Sequence, residues 1–252
     1  AAGAEIKKLL DTHFLNKYST LDALIKGLGS EPVLSKLAMI TKELSGRVKR
    51  RLILDCLASG VNSLTVQRER ILLPMVADVV SDTLDMMAAL KEGEVLEYFV
   101  LDFTDAFFRL PLRPDEQKYF AARFGETFFH WTRVAQGSRN GPQLFGRLSA
   151  MLGRLSQGVL SPSHCRLHIY TDDPIMILRG TPEELKTMKA KLILMWRALG
   201  LELAFKKGQH GRQVQWIGHV ITVDMQAKKV DVQVKPDLLK DLLEDTRKMM
   251  KR

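Results

Sequence analysis

Apolar residues along this chain follow two rhythms, a spacing of three to four and short, nearly unbroken runs, and the two alternate. Ile6, Leu9, Leu10 and Phe14 have helical spacing, so residues 1–35 read as a helical lead-in whose role the sequence does not declare. Between Arg70 and Leu90, the residues Val76, Val79, Val80, Leu84, Met87 and Leu90 recur every three or four positions after Pro74, predicting a helix with one buried face. Tyr98 to Phe103 is a short apolar run of the kind a buried strand carries. Pro142 sits where a first helical turn tolerates it, and Phe145, Leu148, Leu152 and Leu155 supply the face that follows. The best-marked helix opens at Thr181. There Thr181-Pro182-Glu183-Glu184 is a capping box with Pro in the first turn, Leu185, Met188, Leu192, Met195 and Leu199 form the face, and Gly200 stops it.

Composition narrows the class. At 252 residues the chain can build one domain or two subdomains around a substantial core. Its formal charge of +9 suits a polyanionic partner, although proteins that bind no nucleic acid share such a balance. The two cysteines, Cys56 and Cys165, make no disulfide framework and point to a reducing compartment. No apolar run approaches a membrane span, no leader opens the chain, and Ala1 in first place is expected of a processed product or an excised fragment. No repeat or low-complexity tract is present. His164, Cys165 and His168 lie close together, but a zinc site needs further ligands elsewhere, and the segment reads better as the lead-in to a strand.

The chemistry lies in two segments that each end an apolar run in carboxylates, Leu101-Asp102-Phe103-Thr104-Asp105 and His168-Ile169-Tyr170-Thr171-Asp172-Asp173. In-line attack of a hydroxyl on an α-phosphate builds charge on the entering and leaving oxygens, which two metal ions about 3.5–4 Å apart can stabilise. Magnesium takes oxygen ligands, usually one or two carboxylates plus substrate phosphates. A lone Asp-Asp pair is most often an ordinary solvated turn, so the reading depends on what surrounds it.

The order of the surrounding segments resembles the reverse transcriptases of retroviruses and LTR retrotransposons, over about four fifths of the chain. Lys49 to Asp55 resembles the fingers motif, Asp102 to Leu112 motif A, Gln136 to Phe145 motif B, Tyr170 to Asp173 motif C, Leu199 to Lys207 motif D, and Val214 to His219 the primer grip. The resemblance implies that Asp102, Asp172 and Asp173 ligate two Mg2+ ions, with Mn2+ as a substitute, and that Lys207 protonates departing pyrophosphate, Lys206 being its neighbouring rival. It implies that Lys42 and Arg51 grip the β- and γ-phosphates, with Lys49 and Arg50 as rivals, and that Gln136 and Gly137 sit against sugar and base. Asp105 is either a residue beside the triphosphate or a cap, and the amides of Asp105, Ala106 and Phe107 can touch phosphate. Phe107 stands where these enzymes carry an aromatic ring that excludes a ribose 2′-hydroxyl, leaving Phe108 for the core. Trp216, Ile217 and Gly218 resemble the primer grip, while Val214-Gln215-Trp216-Ile217 would serve equally as a plain hairpin strand.

The implied fold class is α+β, a right-hand polymerase fold with an antiparallel palm sheet packed on helices in β-α-β-β-α-β order, plus fingers. The expected subdivision is a lead-in at 1–35, fingers at 36–90 and 113–135, palm at 91–112 and 136–233, and the start of a thumb at 234–252. The implied function is RNA-directed DNA polymerase of a retroelement polyprotein, acting on a primed RNA or DNA template with deoxynucleoside triphosphates, in the cytoplasm or in virus-like particles. No membrane partner is expected, and thumb, connection and RNase H domains would be further parts of the parent polyprotein. The alternative is a catalytically silent nucleic-acid-binding or scaffold subunit that keeps the fold. An RNA-dependent RNA polymerase is disfavoured by Phe107 and by Tyr170 before the paired Asp. Two departures stand out: Thr171 fills the variable slot of motif C, and Pro174 after Asp173 predicts an edge or bulged strand position.

Overall fold

The computed structural model describes residues 2–44, 47–67 and 69–250 and divides into two compact units, residues 1–71 with 105–145, and residues 72–104 with 146–252. These units cut the chain elsewhere than the expected subdivision, most visibly by grouping residues 1–35 with the first unit and 72–90 with the second.

The first unit opens with α1 (Ala2–Asp11), β1 (Leu15–Tyr18) and α2 (Leu21–Leu28), so the lead-in is helical only in part. Four residues are too few for a period-2 signal to show. The hairpin β2 (Leu34–Leu44) and β3 (Arg47–Asp55) follows, then the single turn α3 (Val61–Leu64). In the second unit α4 (Val76–Ala88) starts just after Pro74, as its periodicity predicts, and leads into β4 (Val95–Val100). β4 ends at Val100, just before Asp102. The chain then returns to the first unit through 3-10 turns at Ala106–Arg109 and Pro114–Tyr119 and the strands β5 (Ala121–Phe124) and β6 (Thr127–Trp131). These strands form one sheet in the order β1-β6-β5-β2-β3. Its core gathers Ile6 and Leu9 from α1 with Leu54, Phe108, Phe129 and Trp131.

Helix α5 (Gly141–Val159) belongs to the first unit up to Phe145 and to the second beyond it. Phe145 and Leu152 are fully buried, but Leu155 on the expected face is exposed. The second unit continues with β7 (Cys165–Tyr170), β8 (Asp173–Gly180), α6 (Pro182–Ala198), β9 (Gln209–Gly211), β10 (Gln213–Trp216), β11 (His219–Asp224), β12 (Lys229–Val234) and α7 (Pro236–Met250). Its four-stranded sheet has the order β7-β8-β4-β9 and is antiparallel throughout, so β4-α5-β7-β8-α6-β9 gives the β-α-β-β-α-β succession. A second sheet, β10-β11-β12, shares a core with it through Val79, Tyr98, Ile175, Ile177 and Trp216.

Helix α6 is capped as its sequence announces, with the Glu184 amide donating to Thr181 Oγ1 and the Thr181 amide to the Glu184 carboxylate. Its buried face is Leu185, Met188, Leu192 and Trp196, not Met195 and Leu199. Trp196 lies eleven residues from Leu185, just over three full turns, while Leu199 stands beyond the last helical residue and is exposed. Pro174 corrects a second expectation. It occupies the interior strand β8, paired with Ile169 of β7, and its carbonyl accepts from Leu101 N at 3.3 Å. A strand residue directs its N–H and C=O to the same side, so the absent N–H of Pro174 faces Leu101, whose own N–H bond to Pro174 O is the half of that pair that remains, and the β4–β8 ladder stops there.

Candidate active site

In the second unit the carboxylates stand at the open ends of central strands. Asp102 follows β4, and its carbonyl accepts from Ala204 N at 2.9 Å while Thr104 N donates to Glu202 O at 2.8 Å. Phe103 and Leu203 form an antiparallel bridge between these bonds. That short ladder leads into a 3-10 turn, Phe205–Lys207, which brings Lys207 Nζ onto the Asp102 carboxylate. Between the two lysines considered for this place, Lys207 is the one that makes this pair.

The β7–β8 turn carries Asp172 and Asp173, and three elements hold its backbone. Ser149 Oγ on α5 donates to Thr171 O at 2.5 Å, Phe103 N donates to Asp172 O at 3.2 Å, and the Trp216 indole N–H donates to Asp173 O at 2.9 Å. Thr171 is held at φ 58°, the left-handed region that a β-branched residue rarely enters, so this turn is imposed by its surroundings. Neither Ser149 nor the indole bond is apparent in the sequence, because both donors lie far along the chain from the turn. Trp216 is fully buried with its ring edge on Tyr170; Ile217 and Gly218 form the tip of the β10–β11 hairpin, both at positive φ.

The three carboxylates form one electrostatic group. Burial pushes the Asp173 carboxyl up to about 7, the charges of Asp102 and Asp172 push in the same direction, and Lys207 opposes them. Among the described residues no three His, Cys, Asp or Glu side chains are disposed to hold one ion by themselves. Magnesium asks for less, one or two carboxylates with the rest of its shell from substrate and water, and an all-oxygen donor set that repels itself suits a hard dication.

The first unit holds the other expected residues. Arg51 lies exposed on β3 opposite Ile40; Lys42 lies on β2 opposite Lys49, and its side chain, like that of Lys49, is outside the described residues. Asp105 has φ 52° and opens the 3-10 turn that contains Ala106, Phe107 and Phe108. Phe108 is buried in the core, whereas Phe107 is half-buried with its ring edge to Phe145 at 6.0 Å and close to where a Cβ on Gly141 would stand. Gln136 O accepts from Leu54 N at 2.8 Å, tying the loop to β3. Gly137 has φ 113°, and a Cβ there would overlap the Leu54 carbonyl oxygen. Its close approach is thus to β3.

The sequence pattern described as reverse transcriptase (RNA-dependent DNA polymerase) matches residues 40–221. This chain belongs to the reverse transcriptase family. Among its relatives, the Gag-Pro-Pol polyprotein of Human T-cell leukemia virus 2 is 32% identical over 131 residues, 48% of this chain and 9% of that polyprotein. The Gag-Pol polyprotein of Avian reticuloendotheliosis virus is 36% identical over 119 residues, 44% of this chain and 10% of that one. The chain therefore spans about a tenth of the length of the polyproteins it matches. A solved foamy viral protease-reverse transcriptase in complex with dsDNA has the same fold, with a TM-score of 0.60 at 18% identity, covering 94% of this chain and 42% of that one. The relatives it resembles are retroviral polyproteins, and the solved neighbour shares its fold. Among the described residues no helix is long and apolar enough to cross a membrane.

Proposed function

We propose that this reverse transcriptase domain extends a primer on an RNA or DNA template with deoxynucleoside triphosphates, using Asp102, Asp172 and Asp173 as the oxygen donors for two Mg2+ ions, for which Mn2+ can substitute. The observation that carries the reading is the electrostatic meeting of these carboxylates with Lys207 in one unit of a chain from this family. When bound, the ions would neutralise charge on the entering and leaving oxygens. The chain's own residues supply the rest. Lys207 Nζ donates a proton to departing pyrophosphate, a contribution of about 10²–10⁴-fold for a positioned acid. Arg51, as a bidentate donor, and Lys42, as a point charge, take the β- and γ-phosphates. Asp105 and the amides of Ala106 and Phe107 lie along the triphosphate, Gln136 and Gly137 border sugar and base, and the Phe107 ring fills the volume of a 2′-hydroxyl.

Ile217 and Gly218 take the primer side from the hairpin tip, and buried Trp216 acts on it through the turn it supports. The domain works as one part of a polyprotein with thumb, connection and RNase H domains, in the cytoplasm or in virus-like particles. Asp172→Asn tests the assignment by primer extension with Mg2+ on an RNA template. Losing several kcal/mol of charge stabilisation corresponds to a fall of about 10³-fold or more, with primer–template affinity retained. Extension near the wild-type rate would sink the two-metal assignment.

A further inference from the structure

Residues 2–18 lie outside the stretch matched by the family pattern, yet they are built into the turn that presents Phe107. Helix α1 buries Ile6 and Leu9 in the cluster that contains Leu54, Phe108 and Trp131. Beyond the helix the chain reverses at His13, at φ 56°, and Phe14 N donates to Leu9 O at 2.9 Å. Thr132 then anchors the reversal twice, through N to Phe14 O at 3.1 Å and through Oγ1 to His13 O at 2.9 Å. The Phe14 ring stacks on Phe108 at 5.2 Å with 13° between the planes, and Arg109 lies over its other surroundings at 6.0 Å from the ring centroid.

From this fixed platform Lys8 reaches Asp105 and donates to both carboxylate oxygens, at 3.1 and 3.2 Å. Asp105 is the residue that turns the chain. Its left-handed φ of 52° is one that Asp visits only as an isolated residue, and its carbonyl accepts from Phe108 N at 2.9 Å to start the 3-10 turn. The two-oxygen contact restrains the Asp105 side chain, and so favours the left-handed backbone of the residue that sets where Phe107 points. Phe108 on one side of Phe107 is held by the Phe14 stack, and Asp105 on the other by Lys8.

We propose that Lys8 is a positioning residue for nucleotide selection: through Asp105 it fixes the 105–109 turn and thereby the aim of the Phe107 ring. The proposal rests on the assignment of Phe107 as the sugar-excluding ring. Because the Lys8 side chain is about half exposed, the pair biases the turn by several-fold and not by orders of magnitude. The test measures the ratio of kcat/KM for a deoxynucleotide to that for the matching ribonucleotide, in the polymerase that carries this chain, for Lys8→Met, Lys8→Arg and Phe107→Val. Lys8→Met is expected to lower discrimination about three- to fivefold, Lys8→Arg to restore most of it, and Phe107→Val to lower it further than Lys8→Met does. A mere loss of stability would slow both nucleotides alike and leave the ratio in place. If Phe107→Val moves the ratio while Lys8→Met does not, the role of Lys8 is overturned and the ring assignment stands. If Lys8→Arg is as defective as Lys8→Met, the charge pair is not what holds the turn, and the proposal falls. An unchanged ratio in Phe107→Val overturns the ring assignment and the proposal with it.

Discussion

Asp102 and Asp105 stand three residues apart, fall in different compact units, and are each paired with a lysine from a distant part of the chain. The Lys207 that meets Asp102 is delivered by a backbone ladder, two hydrogen bonds and a bridge between 102–104 and 202–204. The Lys8 that meets Asp105 is delivered by a helix whose register depends on side-chain packing. Backbone ladders tolerate changes in side chains; a packed helix transmits them. The same contrast separates the two left-handed turns. Thr171 at φ 58° lies in a turn whose carbonyls are taken by three elements, whereas Asp105 at φ 52° is held by one backbone bond and a half-exposed ion pair. The turn proposed to serve metal is over-determined and the turn proposed to serve nucleotide is held by less, which suits the fixed charge and the tunable choice of sugar that those proposals assign to them.

The largest expected break in that contrast is chemical. Lys207→Leu removes the ammonium but leaves the 102–104 ladder intact, so single-turnover extension should slow about 10²-fold or more with little change in nucleotide KM. Lys206→Leu should leave the chemical step alone. The reverse pattern would shift the role to Lys206.

A smaller effect is expected where the rigid turn loses one of its holders. Ser149→Ala removes the side-chain donor to the Thr171 carbonyl, and Trp216→Phe removes the indole donor to Asp173 O, which keeps its ladder pairing with Tyr170. Losing such a donor costs about 1–3 kcal/mol where the acceptor is stranded, as at Thr171 O, and less at Asp173 O. Extension should fall by roughly tenfold, and the Mg2+ concentration for half-maximal rate should rise, because the carboxylates on the turn are less well placed. Two single variants indistinguishable from wild type in both readouts would show that the turn does not need these bonds.

The smallest expected effect sharpens the contrast through a readout other than activity. Burial pushes the Cys56 thiol up to about 11 and the Cys165 thiol up to about 12, so neither forms thiolate near pH 8 in the folded protein and alkylation reports opening. Phe14 packs against the cluster that contains Cys56, so Phe14→Ala should speed labelling of Cys56 several-fold, an opening cost lowered by about 1 kcal/mol, and leave Cys165 unchanged. Equal acceleration at both cysteines would mean that the two units open together.

Local pattern carried much of this protein into view. The capping box at Thr181, the α4 periodicity after Pro74 and the carboxylates closing two apolar runs are short-range features, decided by neighbours within a few residues. The chemistry proposed for the site rests on them because the carboxylates sit at a strand end and in a turn. What the tertiary structure decided depends on residues that meet across long stretches of chain. The pairing of β1 with β6, the grip of Lys8 on Asp105, the Ser149 and Trp216 bonds to one turn, and the Leu54 carbonyl that excludes any side chain at Gly137 have no local signature. Pro174 makes the same point, since its missing N–H faces Leu101, a residue far along the chain, and the β4–β8 ladder ends at that pair. Sequence determines which groups are present and what each element tends to be; packing decides which of those groups face one another, because that outcome depends on volume, register and the satisfaction of every buried polar group at once.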